Sequence, residues 1–137
     1  MRLKRVTQNI RMTLEHFALQ VPEPVAMADW YVKHLGCTVV RSGGAPAHGR
    51  FLSMGGVLFE IYRNPVVAVP DYAAVDVLQL HLAFSSADLA ADRDRLVKAG
   101  ARVIDDVNTT PAGDQIMMLR DPWNVPLQFV KRAVPMA

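Results

Sequence analysis

Cysteine is nearly absent from this 137-residue chain, in which Cys37 is the only example. A single thiol cannot close a disulfide within the chain, and one cysteine with four histidines excludes a cysteine-rich zinc finger. Long hydrophobic runs are missing too, since no stretch approaches the ~20 consecutive apolar residues that a transmembrane helix needs. We therefore expect neither a disulfide scaffold nor a segment that crosses a membrane.

A marked excess of charge of either sign is also absent. Fifteen lysines and arginines face 13 aspartates and glutamates, for a net charge of +2. This balance argues against a nucleic-acid-binding protein, although residues 1–12 are locally basic. The same segment lacks the apolar stretch of a secretory signal, so we predict a solvated basic arm and a cytoplasmic protein. With 51% hydrophobic residues, the chain has enough apolar surface for one core, as in a small enzyme or small-molecule binder.

What the sequence does contain is an internal repeat. His16-Phe-Ala-Leu and His81-Leu-Ala-Phe both read as short strands in which the histidine and the alanine share one face. A helical pattern follows each strand and ends at Gly36 or Gly100, both suited to a left-handed C-terminal cap. Gly36 lies 20 residues after His16 and Gly100 lies 19 residues after His81, so the two halves keep the same spacing.

The starts of the two helices differ in their chemistry. Pro22 and Pro24 favour the first turn of the first helix. Ser85 is the predicted N-cap of the second helix, with Asp88 as the partner of a weak capping box. Beyond each glycine we predict a strand, a polar loop and a two-stranded hairpin; these strands are 37–40, 50–54 and 57–62 in the first half, and 101–104, 115–119 and 125–131 in the second.

The order β-α-β-β-β therefore occurs twice, which predicts an α+β protein built from two similar modules. We place the first module at residues 13–63 and the second at residues 77–132. A proline-containing linker at 64–76 joins them, and residues 133–137 form a C-terminal tail.

Four polar residues occupy corresponding places in the repeat. His16 and His81 lie in the first strand of each half, and Glu60 and Gln128 lie among apolar residues in the last strand. An unpaired buried carboxylate costs several kcal/mol, so Glu60 needs a cation or a donor. If the halves pack about a pseudo-twofold axis, the four residues form a set of N and O ligands for Zn, Ni, Co, Fe or Mn. The alternative is that the histidines are hydrogen-bonded core residues and Gln128 is a structural amide.

Several of these segments carry a wider resemblance, in particular His16-Phe-Ala-Leu, Leu58-Phe-Glu60, His81-Leu-Ala-Phe and Asp121-Pro-Trp-Asn-Val-Pro-Leu-Gln128. Over residues 13–132 the chain resembles the vicinal oxygen chelate superfamily, which includes glyoxalase I, bleomycin-resistance proteins and extradiol dioxygenases. The resemblance implies two βαβββ modules that form a U-shaped, partly open β-barrel around a divalent metal ion. It also implies that the ligands are His16, Glu60, His81 and Gln128.

Two departures from the family pattern bear on the activity. Gln128 stands where most metal-using members carry glutamate, which argues against fosfomycin-resistance and extradiol dioxygenase chemistry. Trp123-Asn124 replaces Asp-Gly in the turn before this strand.

Two functions therefore remain open, and both involve a small molecule. The first is a glyoxalase-like, metal-dependent lyase or isomerase that acts on vicinal oxygens through an enediolate, with Glu60 as ligand and base in turn. The second is a metal-free binding protein of the bleomycin-resistance type, with an aromatic cleft lined by Trp30, Tyr31, Phe59, Tyr62 and Trp123. For either function we expect a homodimer, since single-chain members of the superfamily commonly dimerise.

Overall fold

A computed structural model describes residues 9–136 and contains two helices and eight strands. Residues 1–8 of the predicted basic arm and Ala137 of the predicted tail lie outside this described part. The elements are β1 (Phe17–Gln20), α1 (Pro24–Leu35), β2 (Thr38–Ser42), β3 (Arg50–Met54), β4 (Val57–Tyr62), β5 (Leu82–Ser85), α2 (Leu89–Lys98), β6 (Arg102–Thr109), β7 (Gln115–Arg120) and β8 (Pro126–Lys131). Neither helix is long and apolar enough to cross a bilayer within residues 9–136.

The strands form two separate four-stranded sheets with the same topology. Their orders are β1-β4-β3-β2 and β5-β8-β7-β6. In each sheet the first strand pairs in parallel with the last, and the other pairs are antiparallel. This confirms the predicted α+β fold of two βαβββ modules. The two sheets are open, which agrees with the expectation of a barrel that is not fully closed. The boundaries between modules, linker and tail stay a prediction.

The helix starts agree with the sequence analysis in one module and differ in the other. Pro24 is the first residue of α1, as predicted. The prediction that Ser85 caps α2 is wrong, because Ser85 is still paired with Val130 in the sheet. Asp88 is the N-cap instead, and its carboxylate accepts a hydrogen bond from the Ala91 N–H at 3.0 Å.

The predicted turns are present. Gly55 and Gly56 both have positive φ, as a tight hairpin between β3 and β4 requires. Gly36 and Gly100 follow the two helices with φ of 80° and 106°, in the left-handed region where glycine carries no steric penalty.

Each helix packs on one face of its own sheet, and the two helix-covered faces share one core. Both modules contribute fully buried side chains to this core, including Met27, Leu52, Ile61, Leu96 and Leu119. The apolar residues facing the helices alternate along β3, β4, β7 and β8 with residues on the opposite face. The opposite face of each sheet is therefore where a ligand site can form.

Hydrogen bonds from helix α1 tie the two modules together. The Tyr31 hydroxyl donates to Asp121 Oδ2 at 2.7 Å, and the Trp30 indole N–H donates to the Ala99 carbonyl at 2.9 Å. Asp121 is only 1% exposed, and its Oδ1 also accepts the backbone N–H groups of Trp123 and Val125 at 2.9 Å. A buried carboxylate is thus satisfied by donors from both modules.

The segment between the sheets is fastened at two points. The hydroxyl of buried Tyr72 donates to the Gln20 carbonyl in β1 at 2.6 Å. In β7, the Arg120 guanidinium donates to the Tyr72 and Val75 carbonyls at 2.7 Å each. This segment therefore contacts one strand from each module.

The environment of Asp121 predicts a specific dependence of stability on pH. Burial raises the pKa of Asp121 to about 6, although the hydrogen bonds from Tyr31, Val125 and Trp123 act to lower it. In the unfolded chain an aspartate has a pKa of about 4. Asp121 therefore binds its proton more tightly in the folded protein than in the unfolded chain. Its contribution to the free energy of unfolding is largest below pH 4, and about 3 kcal/mol of that contribution is lost as the pH rises from 4 through 6. Asp121→Asn should abolish that loss.

The measurement is urea unfolding at pH 4, 5, 6 and 7 at one fixed protein concentration. Asp29→Asn, an exposed substitution on α1, is the control and should keep the wild-type pH dependence. Parallel pH profiles for wild type and Asp121→Asn would contradict this assignment.

Candidate functional site

On the first sheet, the face turned away from α1 carries a row of four residues in register. Ala18 of β1 lies beside Glu60 of β4, Glu60 beside Phe51 of β3, and Phe51 beside Arg41 of β2. The His16 ring stands edge-on to the Phe51 ring at 5.1 Å between centroids. His16 and Glu60 therefore share this surface, which we call the Glu60 face.

Glu60 lines a recess of about 260 Å³ together with Arg41, Phe51, Tyr62 and the glycine-rich loop 43–49. A Cβ atom added at Gly49 would lie 3.6 Å from Glu60 Oε2, so the loop closely approaches the carboxylate. Glu60 is half-buried, less than its sequence context predicts. Within residues 9–136 its carboxylate has no hydrogen-bond or ion-pair partner, and it is free to bind a ligand.

The second sheet repeats this arrangement with different side chains. Ala83 of β5 lies beside Gln128 of β8, Gln128 beside Met118 of β7, and Met118 beside Asp105 of β6. His81 is two residues before Ala83 and so belongs to the same face in an extended chain. Gln128 thus stands where the first sheet has Glu60.

Both candidate histidines have one ring nitrogen engaged. Nδ1 of His81 lies 2.8 Å from the Val77 carbonyl, and Nδ1 of His16 lies 2.9 Å from Glu15 Oε1. Because a carbonyl oxygen only accepts, Nδ1 of His81 is the donor in this hydrogen bond, and Nε2 is the ring nitrogen left for a ligand. An oxygen partner on the far nitrogen is the usual support of a metal-binding histidine.

One chain does not bring the candidate ligands together. Within residues 9–136 no group of three or more His, Cys, Asp or Glu side chains is placed to hold a metal ion. The modules contact each other through the core side, by Tyr31 with Asp121 and by the Arg95 guanidinium with the His34 carbonyl. The two candidate faces therefore do not meet within one chain, and the metal assignment stays a prediction.

His81 lines a separate recess of about 520 Å³ to which both modules contribute residues. Its walls include Phe17, Phe59 and Phe84. Phe17 stacks on Phe59 at 5.5 Å, and Phe84 stacks on Phe129 at 5.6 Å. This recess suits an apolar or aromatic group.

The five predicted aromatic residues do not form one cleft. Trp30 and Tyr31 are 9% and 0% exposed and belong to the shared core. Phe59, which is 3% exposed, packs in that core and also lines the recess beside His81. Trp123 donates its indole N–H to Glu23 at 2.9 Å. Tyr62 does line the Glu60 recess. Amphipathic periodicity places these residues on an apolar face but does not reveal that a second module covers it.

Cys37 and His48 lie away from the two rows. Cys37 is 3% exposed, and burial raises the pKa of its thiol to about 11, so the thiolate is scarce at neutral pH. His48 is exposed and lines another recess, of about 650 Å³, with Pro22, Pro46 and Arg63. Neither residue lies on the ligand-bearing rows.

Known proteins share this architecture. A family model described as Glyoxalase/Bleomycin resistance protein/Dioxygenase superfamily matches residues 13–129. No curated protein matches the chain in sequence.

Three solved structures illustrate the likeness. A glyoxalase-related enzyme from Fulvimarina pelagi has a TM-score of 0.72 at 19% identity, over 93% of this chain and 94% of that one. TnmS3, an antibiotic binding protein from Streptomyces sp. CB03234, has a TM-score of 0.68 at 20% identity, over 93% and 100%. A glyoxalase I mutant from Zea mays has a TM-score of 0.71 at 19% identity, over 88% and 45%. At these identities the likeness establishes the fold.

Proposed function

The chain belongs to the glyoxalase/bleomycin resistance protein/dioxygenase superfamily, and on this basis we propose that it is a metal-dependent lyase or isomerase. In this proposal the protein works as a homodimer. His16 and Glu60 of one subunit and the corresponding pair, His81 and Gln128, of a second subunit hold one divalent ion. The supporting observation is that Glu60 and Gln128 hold matching register positions, beside Ala18 and Ala83, and that a histidine stands two residues before each alanine.

The donor set fits a borderline divalent ion. Both histidines have Nδ1 engaged, which leaves Nε2 for a metal. The Glu60 carboxylate and the Gln128 amide are half-buried and make no hydrogen bond within the described chain. Two imidazoles with two oxygens suit Zn, Ni, Co, Fe or Mn. Such an ion would polarise two neighbouring oxygens of a small substrate.

Two subunits are required because one chain holds only half-sites. Each row lies on the face that the helices leave uncovered, and β1 and β5 are both at a sheet edge. Unpaired edges and open faces are what a second copy can cover. A twofold dimer that pairs the first sheet of one chain with the second sheet of the other makes two equivalent sites.

Glu60 is the residue that we assign to proton transfer. It is the only carboxylate in its row, and its neighbour Ala18 leaves space beside it. Acting as ligand and base in turn, its carboxylate can accept a proton from one of the two substrate carbons that carry the vicinal oxygens and return it to the other.

A second candidate function rests on the apolar recess beside His81. Its three phenylalanines and volume of about 520 Å³ suit sequestration of a flat molecule without a metal. The neighbour from Streptomyces, which shares this fold, is an antibiotic binding protein.

The experiment that tests the proposal is metal analysis of dialysed protein and of mixed dimers. Wild type should retain one divalent ion per chain, and His16→Ala and His81→Ala should each retain none. Co-expression of the two variants with different tags yields a heterodimer in which one site carries both substitutions and the other carries neither. We expect one ion per heterodimer.

Light scattering on the same samples should show dimers. Lys98→Ala, an exposed change on α2, is the control and should keep full metal content. A heterodimer without metal would contradict the shared site, and wild type without metal would favour the binding function.

The charge of the donor set predicts the effect of a change at Gln128. With one carboxylate, the ligands leave a divalent ion with a formal charge of +1. Gln128→Glu supplies a second anionic oxygen, so metal affinity should rise by about tenfold or more in competitive chelator titration. Gln115→Glu, an exposed change in β7, should leave affinity unchanged. Equal or lower affinity in Gln128→Glu would mean that Gln128 is a structural amide that points away from the metal.

A further inference from the structure

Arg41 differs from the arginines that follow it in the chain. The guanidinium of every arginine from Arg50 onward donates a hydrogen bond within the described structure; these are Arg50, Arg63, Arg93, Arg95, Arg102, Arg120 and Arg132. Arg41 makes no hydrogen bond or ion pair to any of residues 9–136. Its contact is with an aromatic ring, since Cζ lies 5.9 Å from the centroid of Phe51. The guanidinium therefore keeps its donors available to a ligand.

Arg41 is also placed at a defined distance from the candidate metal ligand. It stands in the same row as Glu60, two strands away, with Phe51 between them. Strand spacing puts the two backbones ~10 Å apart. The pairing of β2 with β3 is irregular between Val39 and Arg41, and such a bulge redirects a side chain at a sheet edge.

The recess between Arg41 and Glu60 is lined by one positively charged side chain, that of Arg41, and its donors are not used within residues 9–136. It contains Arg41, Phe51, Glu60 and Tyr62. The other arginine nearby, Arg50, is held by the carbonyls of Gly43, His48 and Gly49 at 2.9–3.2 Å. If Glu60 binds a metal, Arg41 is the group left to recognise charge on the substrate.

We propose that Arg41 is an anion-binding residue and that the substrate carries a carboxylate opposite its two vicinal oxygens. The flat or apolar part between these ends lies along Phe51. This inference rests on the proposed function, because the vicinal oxygens are the end that faces Glu60. Arg41 sets which substrate binds, through the fork of donors that matches a carboxylate.

Two probe molecules of the same shape test whether the site recognises a negatively charged carboxylate. 3,4-Dihydroxybenzoate has vicinal oxygens and a carboxylate across a flat ring, and 3,4-dihydroxybenzamide replaces the carboxylate by a neutral amide. Calorimetric titration of the zinc-loaded dimer should give about tenfold or more tighter binding of the benzoate, since charge-assisted pairs are roughly twice as strong as neutral ones.

Substitutions of Arg41 test whether this side chain causes the preference for the benzoate over the benzamide. Arg41→Gln should bind both probes with the affinity that wild type has for the benzamide. Arg41→Lys should keep part of the preference, because the charge stays but the fork is lost. The control is Arg102→Gln on edge strand β6, whose guanidinium donates to Asn124 Oδ1; it should behave as wild type.

The outcomes separate this inference from the proposed function. If zinc is retained but the two probes bind equally, or neither binds, the role of Arg41 is wrong and the metal site stands. A preference that survives in Arg41→Gln overturns the inference as well. If no metal is retained, the proposed function fails. The anion-binding role of Arg41 then holds only if the metal-free protein still prefers the benzoate and loses this preference in Arg41→Gln.

Discussion

The hydrogen bond between Tyr31 and Asp121 is the contact on which the arrangement of the two modules depends. Asp121 begins the turn before β8, the strand that carries Gln128, and Tyr31 lies on the helix of the other module. A carboxylate this deeply buried is tolerated because three donors converge on it. The same bond thus fixes the turn at the start of one ligand-bearing strand and its relation to the other sheet.

The helices cover one face of each sheet, so a ligand site can form only on the opposite face. The helices bury the core-side residues of both modules in a single cluster, so polar side chains of β4 and β8 are directed to the opposite faces. Pairing in register then turns each face into a row. A row needs only one side chain per strand, which is how a module of this size places a histidine, an oxygen donor and a charged residue near one another.

The sequence predicted the fold well and the site only in outline. The repeat, the start of α1 at Pro24 and the Gly55-Gly56 hairpin depend on local chemistry, and the structure confirms them. The cap at Ser85 and the exposure of Trp30 depend on sheet pairing and on a second module, which periodicity does not encode. Arg41 gave no signal, because an arginine in a short edge strand is ordinary until its ring contact and bulge are known.

The duplicated rows end in residues of opposite sign, Arg41 in the first sheet and Asp105 in the second, and the strand pairing is irregular just before both. Two identical modules would offer a ligand two equivalent orientations related by the pseudo-twofold axis. Opposite charges at corresponding positions remove that equivalence, so a molecule with an anionic end has one preferred direction of binding. A directed ligand presents only one of its two prochiral faces to Glu60. If Glu60 transfers a proton as proposed, the opposite charges of Arg41 and Asp105 would give that transfer a preferred stereochemistry.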